Sequence, residues 1–394
     1  GVLIIEFRVF DFADNVNVTK IVVTIDLTPP EITDILPTNN SYINKTHVLV
    51  SWNSSDNYGI LKYLVSKDRT TWYETYQASY NFTNLTEGEN TLYIKAIDLA
   101  GNSNITKVII IVDITPPYVK ILQPSNFTYF NDTLIQIGWE RNDNIQLDKT
   151  ILIISNSSHT ELFEMGLNTS YTINLANYFS PVEGRYEIRI KVYDMAQNSN
   201  SSFVIIYIDL TPPEFLSSNP EDGSYVNSTS FTLQWSFNDN FGIEFYDIYI
   251  NNSFYDKVYE TQVLINVSDD GKYNITVIAY DFAGNKEQKS IYITVDKTPP
   301  LLSIIEPKNV SYIDSSDVYI SWNASDNFEL DKPYIIVVRE SGDRTTTYEE
   351  EISLTLGDGI YTIDVIVYDK AGNKNITTII ITVDTKPPNI NINK

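Results

Sequence analysis

An all-β chain, built as a string of small β-sandwiches, is what this sequence predicts, and three observations predict it. First, one phrase is written five times: IDLTPP ending at Pro30, VDITPP at Pro117, IDLTPP at Pro213, VDKTPP at Pro300 and VDTKPP at Pro388. Its first prolines, Pro29, Pro116, Pro212, Pro299 and Pro387, are 87, 96, 87 and 88 residues apart. Second, other residues keep this phase. A Trp stands 23 residues after the proline (Trp52, Trp139, Trp235, Trp322), with Asp-Asn four residues beyond it, and another Asp stands 18 residues before each proline (Asp11, Asp98, Asp194, Asp281, Asp369). A period of this size marks tandem domains. Third, short alternating stretches are broken by turn residues about every 8–12 positions, and no 3.6-residue period is sustained, which is the pattern of antiparallel sandwiches.

The first complete repeat shows each element in order. Pro37, Pro124, Pro220 and Pro307 each fall eight residues after a linker proline. A proline donates no ladder bond, so the opening strand should be an edge that breaks there. THVLVSW (Thr46–Trp52) alternates and ends on the Trp. That ring is expected to plug the space between two sheets; burying roughly 150–250 Å² is worth about 4–6 kcal/mol as an upper bound. ILKYLVS (Ile60–Ser66) alternates as well. Gly-x-Tyr pairs before the penultimate strand (Gly184/Tyr186, Gly271/Tyr273, Gly359/Tyr361) resemble a tyrosine corner, and the first repeat departs with Gly88 and Asn90. Thr91–Asp98 and Ile105–Asp113 form a hairpin around DLAGN, where Gly101 is free to take positive φ and Asn102 to bond locally. Taken in immunoglobulin order, this makes about seven strands per repeat. The second repeat carries its extra residues between Trp139 and Asp194.

The period sets the domains: 1–28, the C-terminal half of a preceding sandwich; 29–115; 116–211, with an insertion; 212–298; 299–386; and 387–394, the start of a further repeat. The chain reads as a window cut from a longer array. At each boundary two prolines impose an extended path with almost no spare linker. Neighbouring sandwiches must then nearly touch, which predicts an extended semi-rigid rod of roughly 35–45 Å per domain.

Composition narrows the function. A net charge of -24 repels nucleic acid and anionic membrane and attracts cations. Apolar runs such as Val108 to Val112 are too short to span a bilayer, so membrane association would come only through other parts of the chain. There is no cysteine, hence no disulfide and no thiol chemistry. The two histidines, His47 and His159, are at unmatched positions, no Ser-His-Asp set can be built in each repeat, and no Gly-rich phosphate loop appears, so no catalysis is expected.

The combination TPP … SY … WxxSDN … G-x-Y … YDxAGN … VDxTPP resembles tandem prokaryotic Ig-like repeats over essentially the whole chain. Such repeats build bacterial giant adhesins and archaeal cell-surface or S-layer glycoproteins. The resemblance implies an extracellular, cell-surface location and a structural part as stalk, lattice element or filament, with neighbouring copies or other surface proteins as partners. It leaves open an adhesin that binds carbohydrate or protein, the spacer of an extracellular enzyme, and a filament assembled by strand exchange. If one repeat binds a ligand, the second, with Asn156–Gly166 and Ala176–Pro181, is the candidate.

The phrase itself offers a site. In an Ig sandwich the B–C and F–G loops lie at the end where the first strand enters. The linker Asp, the B–C Asp and the F–G Asp should therefore converge, as Asp26/Asp56/Asp98, Asp113/Asp143/Asp194, Asp209/Asp239/Asp281 and Asp296/Asp326/Asp369. Carboxylates packed together repel unless one protonates or a cation intervenes, and calcium suits oxygen clusters. Some adhesin repeats of the kind resembled use calcium at their joints. In the alternative, each Asp caps its own turn and the three never face one another.

Asn-x-Ser/Thr occurs nineteen times, where chance placement would give roughly seven. Asn17, Asn104, Asn200 and Asn375 lie six residues after the F–G Asp; Asn44, Asn131 and Asn227 lie fifteen after the linker proline; Asn39, Asn126 and Asn309 lie ten after it; Asn53 and Asn323 follow the Trp. With Asn81, Asn84, Asn156, Asn168, Asn251, Asn266 and Asn274 they are candidate acceptors of N-linked glycans, although Asn and Ser also simply make turns.

Overall fold

The computed structural model describes residues 1–390; the last residues of the expected further repeat, 391–394, lie outside the described part. The chain divides into two compact units, Gly1–Ile208 and Asp209–Lys394. The first holds a hairpin and two sandwiches, the second two sandwiches.

The hairpin pairs β1 (Val2–Phe10) with β2 (Val16–Thr24), and every residue of both strands is exposed. The first sandwich follows as β3 (Glu31–Leu36), β4 (Ser41–Ile43), β5 (Val48–Ser55), β6 (Ile60–Ser66), β7 (Tyr73–Thr75), β8 (Ser79–Phe82), β9 (Gly88–Asp98) and β10 (Ser103–Val112). One sheet has the order β3-β5-β8, the other β4-β10-β9-β6-β7. The three later sandwiches repeat both orders strand for strand.

Eight strands thus replace the expected seven, because the opening strand is cut in two. β3 pairs antiparallel with β5, and after Pro37 the chain crosses to the other sheet, where β4 runs parallel to β10. The proline is the place where no ladder bond can be made, so it is where the strand changes sheets. β7 joins the five-stranded sheet instead of adding a fourth strand to the other.

Alternation puts one face of each strand inside. Val50, Trp52, Leu92, Ile94, Ile110 and Val112 are buried in the first core, and matching residues fill the other three. All four phase-locked Trp rings are buried, as the alternation predicts, and three meet a tyrosine edge-on: Trp52 with Tyr63, Trp235 with Tyr246, Trp322 with Tyr334. The second repeat has Thr150 in register with Tyr63, so Trp139 lacks that neighbour. Its insertion extends the hairpin Leu147–Ser155/Thr160–Gly166 and the segment before Gly184, which forms a 3-10 turn at Leu175–Asn177, and Phe163 contacts both Tyr171 and Tyr178, which accounts for these rings by packing.

The tyrosine corner is present in the second and third sandwiches, while no such tie is formed by Tyr361 among the described residues. Tyr186 donates its hydroxyl to the Val182 carbonyl at 2.7 Å and Tyr273 to that of Asp269 at 2.8 Å, four residues back in each case. Asn90 makes the same tie in the first repeat, its Nδ2 donating to the Thr86 carbonyl at 2.7 Å. The departure in sequence therefore preserves the bond.

Candidate metal centres

Three turns build each centre. The F–G turn is made by its own side chains. Asp98 Oδ1 accepts the N–H groups of Ala100 and Asn102 at 2.9 and 2.8 Å, and its Oδ2 accepts Asn102 Nδ2 at 2.9 Å. Gly101 takes φ 95° at the tip; Gln197 and Asp14 hold the same left-handed place in other copies. Asp194, Asp281 and Asp369 are bound in the same way by Asn198, Asn285 and Asn373.

The B–C turn is an Asx turn. Asp143 accepts the N–H groups of Ile145 and Gln146 at 2.9 and 2.8 Å, and Asp239 those of Phe241 and Gly242, each at 2.8 Å. The linker Asp uses one oxygen in the same way: Asp113 accepts the Thr115 N–H at 3.3 Å, and Asp26, Asp209 and Asp296 accept the N–H two residues on.

A carboxylate has two oxygens, and here the capping alternative and the convergence hold together. In every sandwich the linker Asp and the B–C Asp each spend one oxygen on a turn. The other is buried with no protein partner: Oδ2 of Asp26, Asp56, Asp113, Asp143, Asp209, Asp239 and Asp296, and Oδ1 of Asp326. Each triad has carboxylate oxygens that all lie within 4.8 Å of one another. Asp98, Asp113, Asp194, Asp209, Asp281 and Asp296 are 0 % exposed. Burial pushes Asp113 up to about 6, assisted by the charges of Asp143, Asp194 and Glu87. Asp209 is likewise pushed up to about 6 by burial and by Asp239 and Asp281, and Asp296 is raised by burial and by Asp326 and Asp369. Asp98 goes the other way: burial pushes it upward, but the bonds from Asn102, Gly101 and Ala100 outweigh it. Asp98 is thus held ionised, while the linker carboxylates of Asp113, Asp209 and Asp296 are strained as anions.

These residues fit a calcium ion. Calcium takes oxygens at about 2.3–2.6 Å, so two of its ligands lie at most about 5 Å apart, and the triad oxygens satisfy that limit. No His or Cys is present in any triad, which points to a hard cation held by oxygen ligands. The orphaned oxygens are the ligands such an ion would take first.

Several contacts that sequence reading passed over hold the same region. Asn102 Nδ2 also donates to the Asp26 carbonyl at 3.1 Å, and Asn198, Asn285 and Asn373 reach the carbonyls of Asp113, Asp209 and Asp296 at 2.8, 2.9 and 2.8 Å. The last letter of the DxAGN motif therefore ties the F–G turn to the linker that arrives beside it. An acid preceding the Gly that opens the penultimate strand holds the linker from the other side: Thr115 Oγ1 donates to Glu87 at 2.6 Å, Thr298 Oγ1 to Asp270 at 2.6 Å and Thr385 Oγ1 to Asp358 at 2.7 Å. Glu87 accepts from Asn144 Nδ2 as well, at 2.8 Å. Within the first unit Tyr42 donates to Gln146 at 2.7 Å, and within the second Tyr225 donates to Glu329 at 2.9 Å. These two tyrosines are half-buried and do not enter a core. The phase-locked Asn and the acid before Gly were the signals available for all of this.

Of the candidate glycan acceptors, Asn17, Asn44, Asn53, Asn81, Asn84, Asn104, Asn131, Asn168, Asn200, Asn227, Asn251, Asn266 and Asn323 are exposed, while Asn156, Asn274 and Asn375 are half-buried. His159 pairs with Glu161 at 2.7 Å on the surface.

Residues 257–327 match the family described as bacterial Ig-like domain (group 3). That match runs across the linker VDKTPP, ending at Pro300, and takes in Asp281, Asp296 and Asp326. Over 208 residues the chain is 26% identical to bacillopeptidase F of Bacillus subtilis (strain 168), covering 47% of this chain and 14% of that protein. The chain therefore spans about a seventh of the length of this curated relative. A tetra-tandem repeat from the extending region of a large adhesion protein is similar over 91% of this chain and 100% of its own, at 14% identity and a TM-score of 0.30. A calcium-stabilized adhesin with which an Antarctic bacterium binds ice is similar over 91% and 99%, at 14% identity and a TM-score of 0.32. The array consists of tandem Ig-like β-sandwich domains, with the bacterial Ig-like signature lying on one of its linkers.

Proposed function

We propose that this chain is a spacer segment of a cell-surface protein, stiffened at each linker by one bound calcium ion. Its partners are neighbouring copies or other surface proteins, and chemistry or ligand recognition lies elsewhere in the parent protein. The observation that carries the reading is the pair of buried, orphaned carboxylate oxygens in each of the four triads. A cation there joins the linker to two loops of the following sandwich, so the angle at which the linker arrives is fixed when the ion binds. Apart from the ion, the Asn tie and the threonine–acid bond set the same geometry more weakly.

A second reading makes the array the spacer of an extracellular enzyme. The resemblance to bacillopeptidase F over part of the chain favours it. Both readings share the same joints and the same metal.

Equilibrium dialysis with radioactive calcium tests the proposal. The expected result is four ions per chain with dissociation constants of about 0.1–1 mM, the range of extracellular modules, falling to three in the Asp143→Asn variant. No retained calcium at 5 mM (roughly five to fifty times those constants) would sink it.

A further inference from the structure

The sequons differ in what the fold does with their amides. Asn39, Asn126 and Asn309 occupy the same place in three sandwiches, the tight turn between the two halves of the opening strand. In each, side-chain Oδ1 accepts an N–H from the last strand, that of Ile109, Ile205 or Ile380, at 2.8 Å. All three are exposed, and among the described residues no protein group uses their Nδ2.

The third sandwich shows what the turn itself requires. There Asp222 Oδ1 accepts the Tyr292 N–H at 2.8 Å, and the next residue is Gly223 at φ 84°. An acceptor oxygen and a residue at ease in the left-handed region are sufficient. The other three turns place Asn40, Phe127 and Val310 at φ 65°, 64° and 66°. A bulky or β-branched residue there costs about 1–2 kcal/mol. Phe127 is 57 % exposed and Val310 68 %, so no burial offsets that cost. Neither the amide nitrogen nor the apolar neighbour serves the turn.

Both have a use if a sugar is attached. An N-glycosyl amide keeps its carbonyl oxygen, so the bond to the last strand survives. The sugar then covers the exposed ring or methyl groups beside it. Ser41, Thr128 and Ser311 supply the hydroxyl two residues on that an acceptor sequence needs.

We propose that Asn39, Asn126 and Asn309 are N-glycosylation acceptors, giving one glycan at the same turn of the first, second and fourth sandwiches and none at that turn of the third. A bond forms between Nδ2 and the anomeric carbon of a saccharide carried on a lipid-linked or nucleotide phosphate. The bond from that carbon to the phosphate oxygen breaks, the phosphate leaves with the electron pair, and one amide proton passes to solvent. Asn375 is the contrasting case: it is half-buried and its Nδ2 is turned onto the Pro300 carbonyl, to which it donates at 2.9 Å, so the nitrogen is less accessible and stays bare.

The test is peptide mass spectrometry of the protein purified from its own cells. Sugar on the peptides holding Asn39, Asn126 and Asn309, with the Asn375 peptide at its unmodified mass, is expected. Those three peptides at unmodified mass would overturn the proposal, whatever the other sequons carry. The triple variant Asn39→Asp, Asn126→Asp, Asn309→Asp, made in the same cells, keeps the acceptor oxygen that Asp222 supplies and should fold. It should lose three glycans in mass; retention of the parent mass of sugar would equally overturn the assignment.

Discussion

Chelation is expected to lower the melting temperature of each sandwich by about 6–20 °C relative to 10 mM calcium. Sites with dissociation constants of about 0.1–1 mM contribute about 1.4–2.7 kcal/mol at that concentration, and 1 kcal/mol moves a domain of this size by about 4–8 °C. Asp143→Asn makes the prediction diagnostic through its sign. The amide keeps the oxygen that caps the B–C turn and removes the charge of the orphaned one. In calcium the variant should therefore destabilise the second sandwich. In chelator it should stabilise it, because two like charges no longer face each other. The pH dependence follows from the same carboxylates. The folded chain holds Asp113 and Asp209 at about 6, above the ordinary value near 3.9 of the unfolded chain. Between those values the folded state binds more protons, so in chelator stability falls as pH rises from about 4 to 6. With calcium present the trend reverses, since protons compete with the ion. Thermal scans at pH 5 and pH 7.5, each in calcium and in chelator, check both signs. A slope unchanged by Asp113→Asn would remove these groups from the account.

Replacing Trp322 by Ala should cost the fourth sandwich about 3–5 kcal/mol. A domain of about 90 residues has roughly 5–13 kcal/mol in total, so the loss is a large fraction of it. The ring is 1 % exposed, sits between the sheets and meets Tyr334 edge-on at 5.7 Å. Its Nε1 is buried without a partner, so shape and area rather than hydrogen bonding account for its contribution. Calorimetry should show one transition detached and moved down by more than about 12 °C, while the other transitions stay in place. A single cooperative shift of the whole array would mean that the sandwiches do not hold separate cores.

The phase of the repeats made most of this legible. Pro37 and its copies marked where the opening strand breaks, Trp52 and its copies marked the cores, and the three aspartates marked the centres. What escaped was information carried by geometry rather than by pattern. A proline shows that a strand breaks, but not that the chain then crosses to pair in parallel with the last strand. An Asx turn and a metal ligand look alike in sequence, because the distinction lies in which of two carboxylate oxygens faces the turn. Asn102 read as a turn residue, and its second hydrogen, which reaches the Asp26 carbonyl, becomes visible only when the linker is in place. Nothing in the pattern shows that Tyr42 and Tyr225 lie on strands at a sheet edge, where a hydroxyl reaches a neighbouring loop.

The most direct test of a calcium-stiffened spacer is small-angle X-ray scattering of the whole chain, in millimolar calcium and then in chelator. The account predicts that chelation changes the distribution of interatomic distances and increases flexibility while each sandwich remains folded. Identical profiles in the two conditions would contradict it, and would leave the prolines and the direct Asn and Thr ties as what holds the linkers.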